Sequence, residues 1–338
     1  MAFPAGGVLP SGAILNELTS LTRRAFIPRV TVQLYFSSPT MMMLLGNAQR
    51  SAGGVNQITG PVQGASMVQG AWTGYAGNFA KPSVIPGVSN YAFNTSYYVV
   101  PVPLVLGEAL LQSTEAVVPI LDVRMNDVYS VTSQQMGQVL FTNNSANNLM
   151  PQGFVEAYDN GTNVPVYGGI TRTTVGSTYW QSQLYSSAGA VLTRAAMSQY
   201  LIQVTDVAGG EAPDFVVMSP SDFAALNSTF IGVESTQYSP GFTGSNDTPV
   251  RSSFPNLLIN NVPFFMDHWC PKGTMYFVNT KYTNMYLSED APFSFSGFYS
   301  GIPMLQIAQI GVMIVGYNVI TTKPVSGAQI TGVTGGAF

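Results

Sequence analysis

The chain has 338 residues, of which 12 are Lys or Arg and 16 are Asp or Glu, so charged side chains make up 8% where a globular protein ordinarily carries about 25%. Asn and Gln together number 39 and, with Ser, Thr and Gly, replace the missing charge. Intrinsic disorder is excluded, because it needs low hydrophobicity and high net charge, whereas this chain is 46% hydrophobic with a net charge of −4.

A surface so poor in charge repels its own copies weakly, and the centres of protein interfaces are depleted of charge, which points to association with other subunits. A membrane protein is the rival reading, given a mean hydropathy of +0.21. A span needs about 20 consecutive apolar residues, and the nearest candidate, Ile302 to Ile320, contains Pro303, Gln306, Gln309 and Asn318. A long buried strand explains that segment better. The opening MAFPAGGVLP puts no positive charge before an apolar core, so export by a signal peptide is not expected. The single cysteine, Cys270, excludes an intrachain disulfide framework and fits a reducing cytoplasm.

In chain order, Ile14, Leu15, Leu18, Leu21 and Ala25 form a helical stripe that ends near Arg23 and Arg24, before Pro28. The first 50 residues, with Arg23, Arg24, Arg29 and Arg50 against Glu17, carry +3 while the rest sum to −7. Two readings fit: arginines favoured at a helix C-terminus by its dipole, or an arm that docks on an acidic neighbour, a scaffold or nucleic acid. From Gly46 to Asn90 there are nine glycines, three prolines and only Arg50 and Lys81 as charges. Ile58, Val62, Met67, Val68, Trp72, Tyr75 and Phe79 are too many large apolar groups for a solvated linker. With the period-two alternation of Tyr91 to Val100, the segment reads as a long hairpin with a glycine-rich tip. Its aromatics are covered either within the subunit or by another chain.

Val118, Leu121, Met125, Val128, Thr132, Gln135 and Val139 step by three and four, predicting a helix of roughly 25 residues. Pro119 belongs in its first turn or kinks it, and fading apolarity at Ser133-Gln134-Gln135 predicts a less buried C-terminal end. After an Asn-rich loop the pattern becomes mixed α/β. Thr193 is the expected N-cap of a helix through Val207 stopped by Gly209-Gly210. Asp214 to Met218 reads as a buried strand running into Ser219-Pro220-Ser221-Asp222, a cap, an N1 proline and a capping-box acid. Thr229 to Ser253 is a long polar loop of the kind that serves function or a partner. Strands follow at Leu257 to Ile259, Val262 to Met266, Met275 to Val278, Met285 to Leu287 and Leu305 to Ile320.

The inventory restricts the chemistry. His268 is the single histidine; were Met266 to Cys270 a strand, His268 and Cys270 would share a face, yet a structural zinc takes four ligands and no second pair is present. The plainer reading is a strand end before the Pro271-Lys272-Gly273 turn. No phosphate-binding glycine loop and no G-x-S-x-G elbow occurs, and no Asp/Glu pair stands out. No catalytic residue, cofactor or metal site is assigned, and an enzyme with a site near His268 is the minority alternative.

Certain words at the joints resemble those of the major capsid proteins of tailed bacteriophages, which have the Hong Kong 97-like fold. They are Gly168-Gly169-Ile170-Thr171-Arg172 with Tyr179-Trp180; Ala212-Pro213-Asp214-Phe215-Val216-Val217-Met218-Ser219-Pro220; and Val262-Pro263-Phe264-Phe265-Met266-Asp267 followed by Pro271-Lys272-Gly273 and Tyr276-Phe277-Val278-Asn279. The resemblance spans about Arg29 to Thr331. It implies an α+β fold with an N-terminal arm (1–45), an extended E-loop hairpin (46–103), a spine helix (104–142), a peripheral domain (143–183 and 296–338) and an axial domain (184–295). It implies a structural subunit assembling with itself into hexamers and pentamers of an icosahedral shell around double-stranded DNA, located in the virion capsid and assembled in the bacterial cytoplasm, with no membrane partner. A separate scaffolding protein, a portal and a decoration or cement protein are the further partners of this family, and an encapsulin-like compartment is the alternative within the fold. Expected subunit contacts are Arg23, Arg24 and Arg29 in the arm and Trp72, Tyr75, Phe79 and Lys81 in the hairpin. Some relatives crosslink through lysine; Lys81 is the one lysine there, and no motif names a partner for it.

Overall fold

A computed structural model describes residues 38–51, 56–64, 72, 75, 87–105, 120–147, 149–173, 178–229, 257–300 and 308–333. The expected helix around Ser11 to Ala25, the arginines Arg23, Arg24 and Arg29, the hairpin residues Phe79 and Lys81, Pro119 and most of the Thr229 to Ser253 loop lie outside the described residues.

The first described element is a helix that the sequence reading does not anticipate. Helix α1 (Pro39–Gly46) is capped by Ser38, whose Oγ accepts from the Met41 N–H at 3.2 Å, with Pro39 in its first turn. The same Ser38 hydroxyl donates to the buried Asp267 carboxylate at 2.6 Å. After β1 (Gln49–Ser51), the hairpin strands β2 (Gln57–Gln63) and β3 (Val88–Asn94) pair antiparallel in unbroken register, from Gln57 opposite Asn94 to Gln63 opposite Val88. The strand expected to run on through Val100 breaks at Thr95, and β4 (Ser96–Val105) joins a different sheet.

Helix α2 (Ile120–Leu140) lies where the periodicity places it, but its burial runs the other way. Val128, Thr132, Met136 and Leu140 form the buried line, in steps of four, and among residues 123–140 the C-terminal part is the more buried. The polarity of Ser133 to Gln135 misleads because Gly137 lets the helix approach α1 closely. A Cβ on Gly137 would stand 2.7 Å from the Ser38 Cβ.

Next come α3 (Phe154–Ala157), the two-stranded β5 (Val166–Tyr167) and β6 (Ile170–Thr171), β7 (Gln183–Ser186), α4 (Arg194–Val207), β8 (Phe215–Met218) and α5 (Pro220–Ser228). The expected caps hold: Thr193 Oγ accepts from Ala196 N–H at 3.2 Å, Ser219 Oγ from Asp222 N–H at 3.2 Å, and Gly209 and Gly210 both have positive φ. Asp222 departs from a plain capping box. Its carboxylate accepts from the Ser219 hydroxyl and from Gly273 N–H at 2.8 Å, tying the helix start to the later turn.

The remaining strands are β9 (Leu257–Ile259), β10 (Val262–Met266), β11 (Met275–Val278), β12 (Thr283–Ser288), β13 (Ser294–Ser300), β14 (Ala308–Thr321) and β15 (Ala328–Thr331). One sheet has the order β7-β15-β11-β8-β10-β9. All four residues of β8 are buried, as befits a central strand covered on both faces. Phe215 and Val217 face one core, with Tyr276, Phe141, Phe154 and Leu140. Val216 and Met218 face the other, beneath Met197, Leu201 and Val204 of α4 and Phe223 and Leu226 of α5. The second sheet has the order β1-β12-β14-β13, with β4 along the other edge of β14.

β12 and β13 belong with β14 because one edge of that 14-residue strand is covered by the two in succession. The late strand β15 inserts between β7 and β11. Among the described residues no helix is long and apolar enough to cross a membrane, and the uncharged stretch ending at Ile320 is strand β14 from Ala308 onward.

Candidate assembly surfaces

The hairpin is held at its root by the Gly168 to Arg172 turn. Gly168 and Gly169 have φ of 57° and 79°, the pair of positive values that a two-residue hairpin loop of this twist demands. Gly168 has a second reason to lack a side chain, because a Cβ there would meet the Phe93 ring at 2.5 Å. Its carbonyl accepts from Ala92 N–H at 2.9 Å, and Phe93 stands edge-on to Tyr167 at 4.9 Å. Tyr91 stacks on Trp180 at 5.9 Å, and the Trp180 indole N–H donates to the Tyr167 carbonyl at 2.8 Å. Gly168→Ala is expected to cost the subunit about 2–4 kcal/mol through strain and overpacking. Gly169→Ala meets nothing within 4 Å and should cost only the strain. Thermal melts of unassembled subunits compare the two, and equal effects would refute the assigned packing.

Behind the turn, Arg172 is completely buried. Its Nε donates to the Trp180 carbonyl at 3.0 Å, and its terminal nitrogens donate to the carbonyls of Glu156 at 2.7 Å and Ala157 at 2.9 Å. The last two are end-of-helix carbonyls of α3, groups that lack intrahelical partners. The guanidinium also lies 4.6 Å from the centre of the Tyr167 ring. Burial pulls its pKa down to about 10, so it stays charged at neutral pH, while burial pushes the Tyr167 phenol up to about 12. The Glu156 carboxylate accepts from the Asn144 and Gly153 N–H groups; its burial raises its pKa against those bonds.

Among the described residues, two exposed apolar groups bear on assembly. Trp72 and Tyr75 of the hairpin tip are as exposed as in an extended peptide. The second surface is one face of the β4-β14-β13 sheet, on which Tyr97, Val99, Pro101 and Pro103 lie opposite Gly316, Ile314, Val312 and Ile310, with Tyr299 beside Ile310. Tyr97, Val99, Pro101, Pro103 and Tyr299 are exposed, and none of these residues carries a charge. The alternate residues Val102, Met313, Val315 and Tyr317 fill the core on the other face. The carbonyl of Pro103 is taken by Arg124 of α2 at 2.5 Å.

Of the expected contact residues, Trp72 and Tyr75 are exposed, while Arg23, Arg24, Arg29, Phe79 and Lys81 lie outside the described residues. The sheet face was not anticipated. Its signal was present in the sequence, since from Tyr97 to Val102 both alternating sets are apolar apart from the tyrosine hydroxyls. The His268 neighbourhood is a turn after β10: Asp267 Oδ1 accepts from Trp269 N–H at 3.0 Å, His268 is exposed, and Cys270 is buried with its thiol pKa raised by that burial. The two candidate ligands thus lie in different environments, and among the described residues no cluster of three or more His, Cys, Asp or Glu is arranged to hold a metal.

No family profile matches the sequence, and no curated protein does. Solved structures match almost throughout. The capsid asymmetric unit of cyanophage A-1(L) superposes with a TM-score of 0.72 at 14% identity, over 94% of this chain and 99% of that one. The fold is the Hong Kong 97-like capsid fold. An SrpI encapsulin from Synechococcus elongatus shares this capsid fold with a TM-score of 0.59 at 12% identity, over 98% of both chains. So does the capsid of a native GTA particle, with a TM-score of 0.59 at 9% identity, over 95% of this chain and 99% of that one. Within this fold the turn at Gly168 to Arg172 meets the hairpin root through the Ala92–Gly168 hydrogen bond and the Phe93 ring.

Proposed function

We propose that the chain is a major capsid subunit that assembles with itself, as hexamers and pentamers, into an icosahedral shell enclosing double-stranded DNA. The observation that carries the reading is the capsid fold over nearly the whole chain, joined to a hairpin whose Trp72 and Tyr75 are fully exposed. Aromatics of this kind dominate interface energetics. Residues 1–45 serve as the arm, 46–103 as the E-loop, 104–142 as the spine, 143–183 with 296–338 as the peripheral domain and 184–295 as the axial domain, with Arg23, Arg24, Arg29, Phe79 and Lys81 as further contacts. The function is mechanical confinement, without catalysis or cofactor and without base readout, for which a weakly acidic surface is unsuited. Scaffolding, portal and decoration proteins are the accessory partners, and assembly takes place in the host cytoplasm.

The likeness to an encapsulin favours a second reading, a compartment for protein cargo. Electron microscopy of the purified protein tests both: closed icosahedral particles are expected, and monomers or open aggregates at high concentration would overturn the assembly reading. Nuclease-protected DNA in particles from infected cells supports the capsid, whereas a co-purifying enzyme supports the compartment.

A further inference from the structure

The loop between α3 and β5 carries the pair Asn160-Gly161 beside Arg172. Of the 21 asparagines in the chain, Asn160 alone is followed by glycine, which leaves the next main-chain nitrogen without a side chain to shield it. Gly161 has a φ of 97°, and a Cβ on it would stand 3.0 Å from the Arg172 Cβ. The Gly161 N–H donates to Asp159 Oδ2 at 2.8 Å. The Asn160 side-chain Oδ1 accepts from the Thr162 N–H at 3.0 Å, closing an Asx turn. Asp159 is buried and is fixed in place by further donors, the Asn163 N–H at 3.1 Å and the Val164 N–H at 2.9 Å on Oδ2 and the Asn163 Nδ2 at 3.0 Å on Oδ1.

These contacts fall on the atoms of one reaction. Attack of the Gly161 nitrogen on Asn160 Cγ closes a five-membered imide ring, and it is helped by a base on the N–H and a donor on the amide oxygen. Asp159 stands at the first. The Thr162 N–H stands at the second, where negative charge gathers as the bond forms. Nucleophile and electrophile are neighbours in one chain, so no encounter has to be arranged. Asn160 is only half-buried, which leaves ammonia a way out and water a way in.

We propose that Asn160 is a site of self-catalysed deamidation, with Asp159 as the base. The Gly161 nitrogen bonds to Asn160 Cγ as its proton passes to Asp159. The Cγ–Nδ2 bond then breaks, and Nδ2 leaves as ammonia with the proton that Asp159 returns. Water opens the imide at either carbonyl, giving aspartate or isoaspartate in place of Asn160. Each event adds a negative charge to a chain that is only 8% charged, and isoaspartate adds a methylene to the main chain next to Gly161, which packs beside Arg172. The subunit thereby records its own age without an enzyme. The inference goes beyond the capsid reading and does not depend on it.

Purified protein is held at neutral pH, either folded or unfolded in urea, then digested under mildly acidic conditions, and the Asn160 peptide is followed by mass spectrometry with its aspartate and isoaspartate forms separated. Asn163, in the same loop but followed by valine, is the internal control. Conversion of Asn160 in the folded protein should be at least about tenfold faster than in the unfolded chain, a modest share of what a positioned base contributes. An equal or slower rate would overturn the inference, because the loop then holds the reacting atoms apart. Asp159→Asn, checked for folding by its melting curve, should lose the acceleration, and a folded variant converting at the wild-type rate would equally overturn it. If that variant does not fold, the ratio of folded to unfolded rates in the wild type decides alone.

Discussion

Arg172→Ala is expected to destabilise the unassembled subunit by about 3–5 kcal/mol, a large share of the 5–15 kcal/mol by which a domain is ordinarily stable. The loss has two parts. Three buried carbonyls, of Glu156, Ala157 and Trp180, lose their donors at once, and each unsatisfied group costs about 1–3 kcal/mol before relaxation. The Tyr167 ring also loses the cation packed over it. Arg172→Lys keeps the charge but replaces the planar fork by a single nitrogen, so it should recover only part of the loss. Urea titrations of unassembled subunits measure this as a lower midpoint at constant slope. A shift worth less than about 1 kcal/mol would mean that the carbonyls find other donors and that Arg172 does not hold the turn.

The second large effect concerns assembly and leaves stability alone. Trp72→Ala with Tyr75→Ala should leave the melting temperature of the free subunit unchanged, because neither side chain is covered by its own chain. A hot-spot residue contributes about 2 kcal/mol or more to an interface, and 2 kcal/mol is roughly a thirtyfold change in an association constant. The threshold concentration for particle formation should rise by at least that factor, or particles should vanish. Deleting Gly64 to Ser83 removes the tip altogether and should abolish shells while sparing the fold. Light scattering and negative-stain images of both variants decide it, and closed particles at the wild-type threshold would remove the hairpin from the assembly mechanism.

The elements legible in the sequence are those written by neighbours along the chain. The caps Thr193 and Ser219 and the Gly209-Gly210 stop need only a few adjacent residues to declare themselves, and they stand where expected. What escaped depends on residues far apart. Helix α1 offers only eight residues, too few for a periodic stripe, and its start is fixed by Asp267, 229 positions away. The buried end of helix α2 follows from Gly137 meeting Ser38, which no local hydropathy reports. Strand β15 has four residues and takes its place only because a gap exists between β7 and β11. Arg172 stood inside a turn that could be recognised as a word, yet its task as a three-way donor is invisible without the carbonyls it meets. The exposed sheet face was the nearest miss, since two-sided apolarity in a strand means either double burial or an uncovered face, and spacing alone does not choose between them.

Pro101 and Pro103 also bear on how such a chain survives before it is assembled. Alternate residues of a strand direct their backbone groups to opposite edges, and the Pro103 carbonyl, bonded to Arg124, points away from β14. Both prolines thus remove N–H groups from the edge of β4 that no described strand pairs. An open strand edge is a template for cross-β stacking, and here few charges stand guard. The two missing donors, with an arginine seated on one remaining acceptor, blunt that edge without adding charge. The subunit can stay adhesive through its side chains while refusing growth through its backbone, which separates ordered closure from fibrous precipitation.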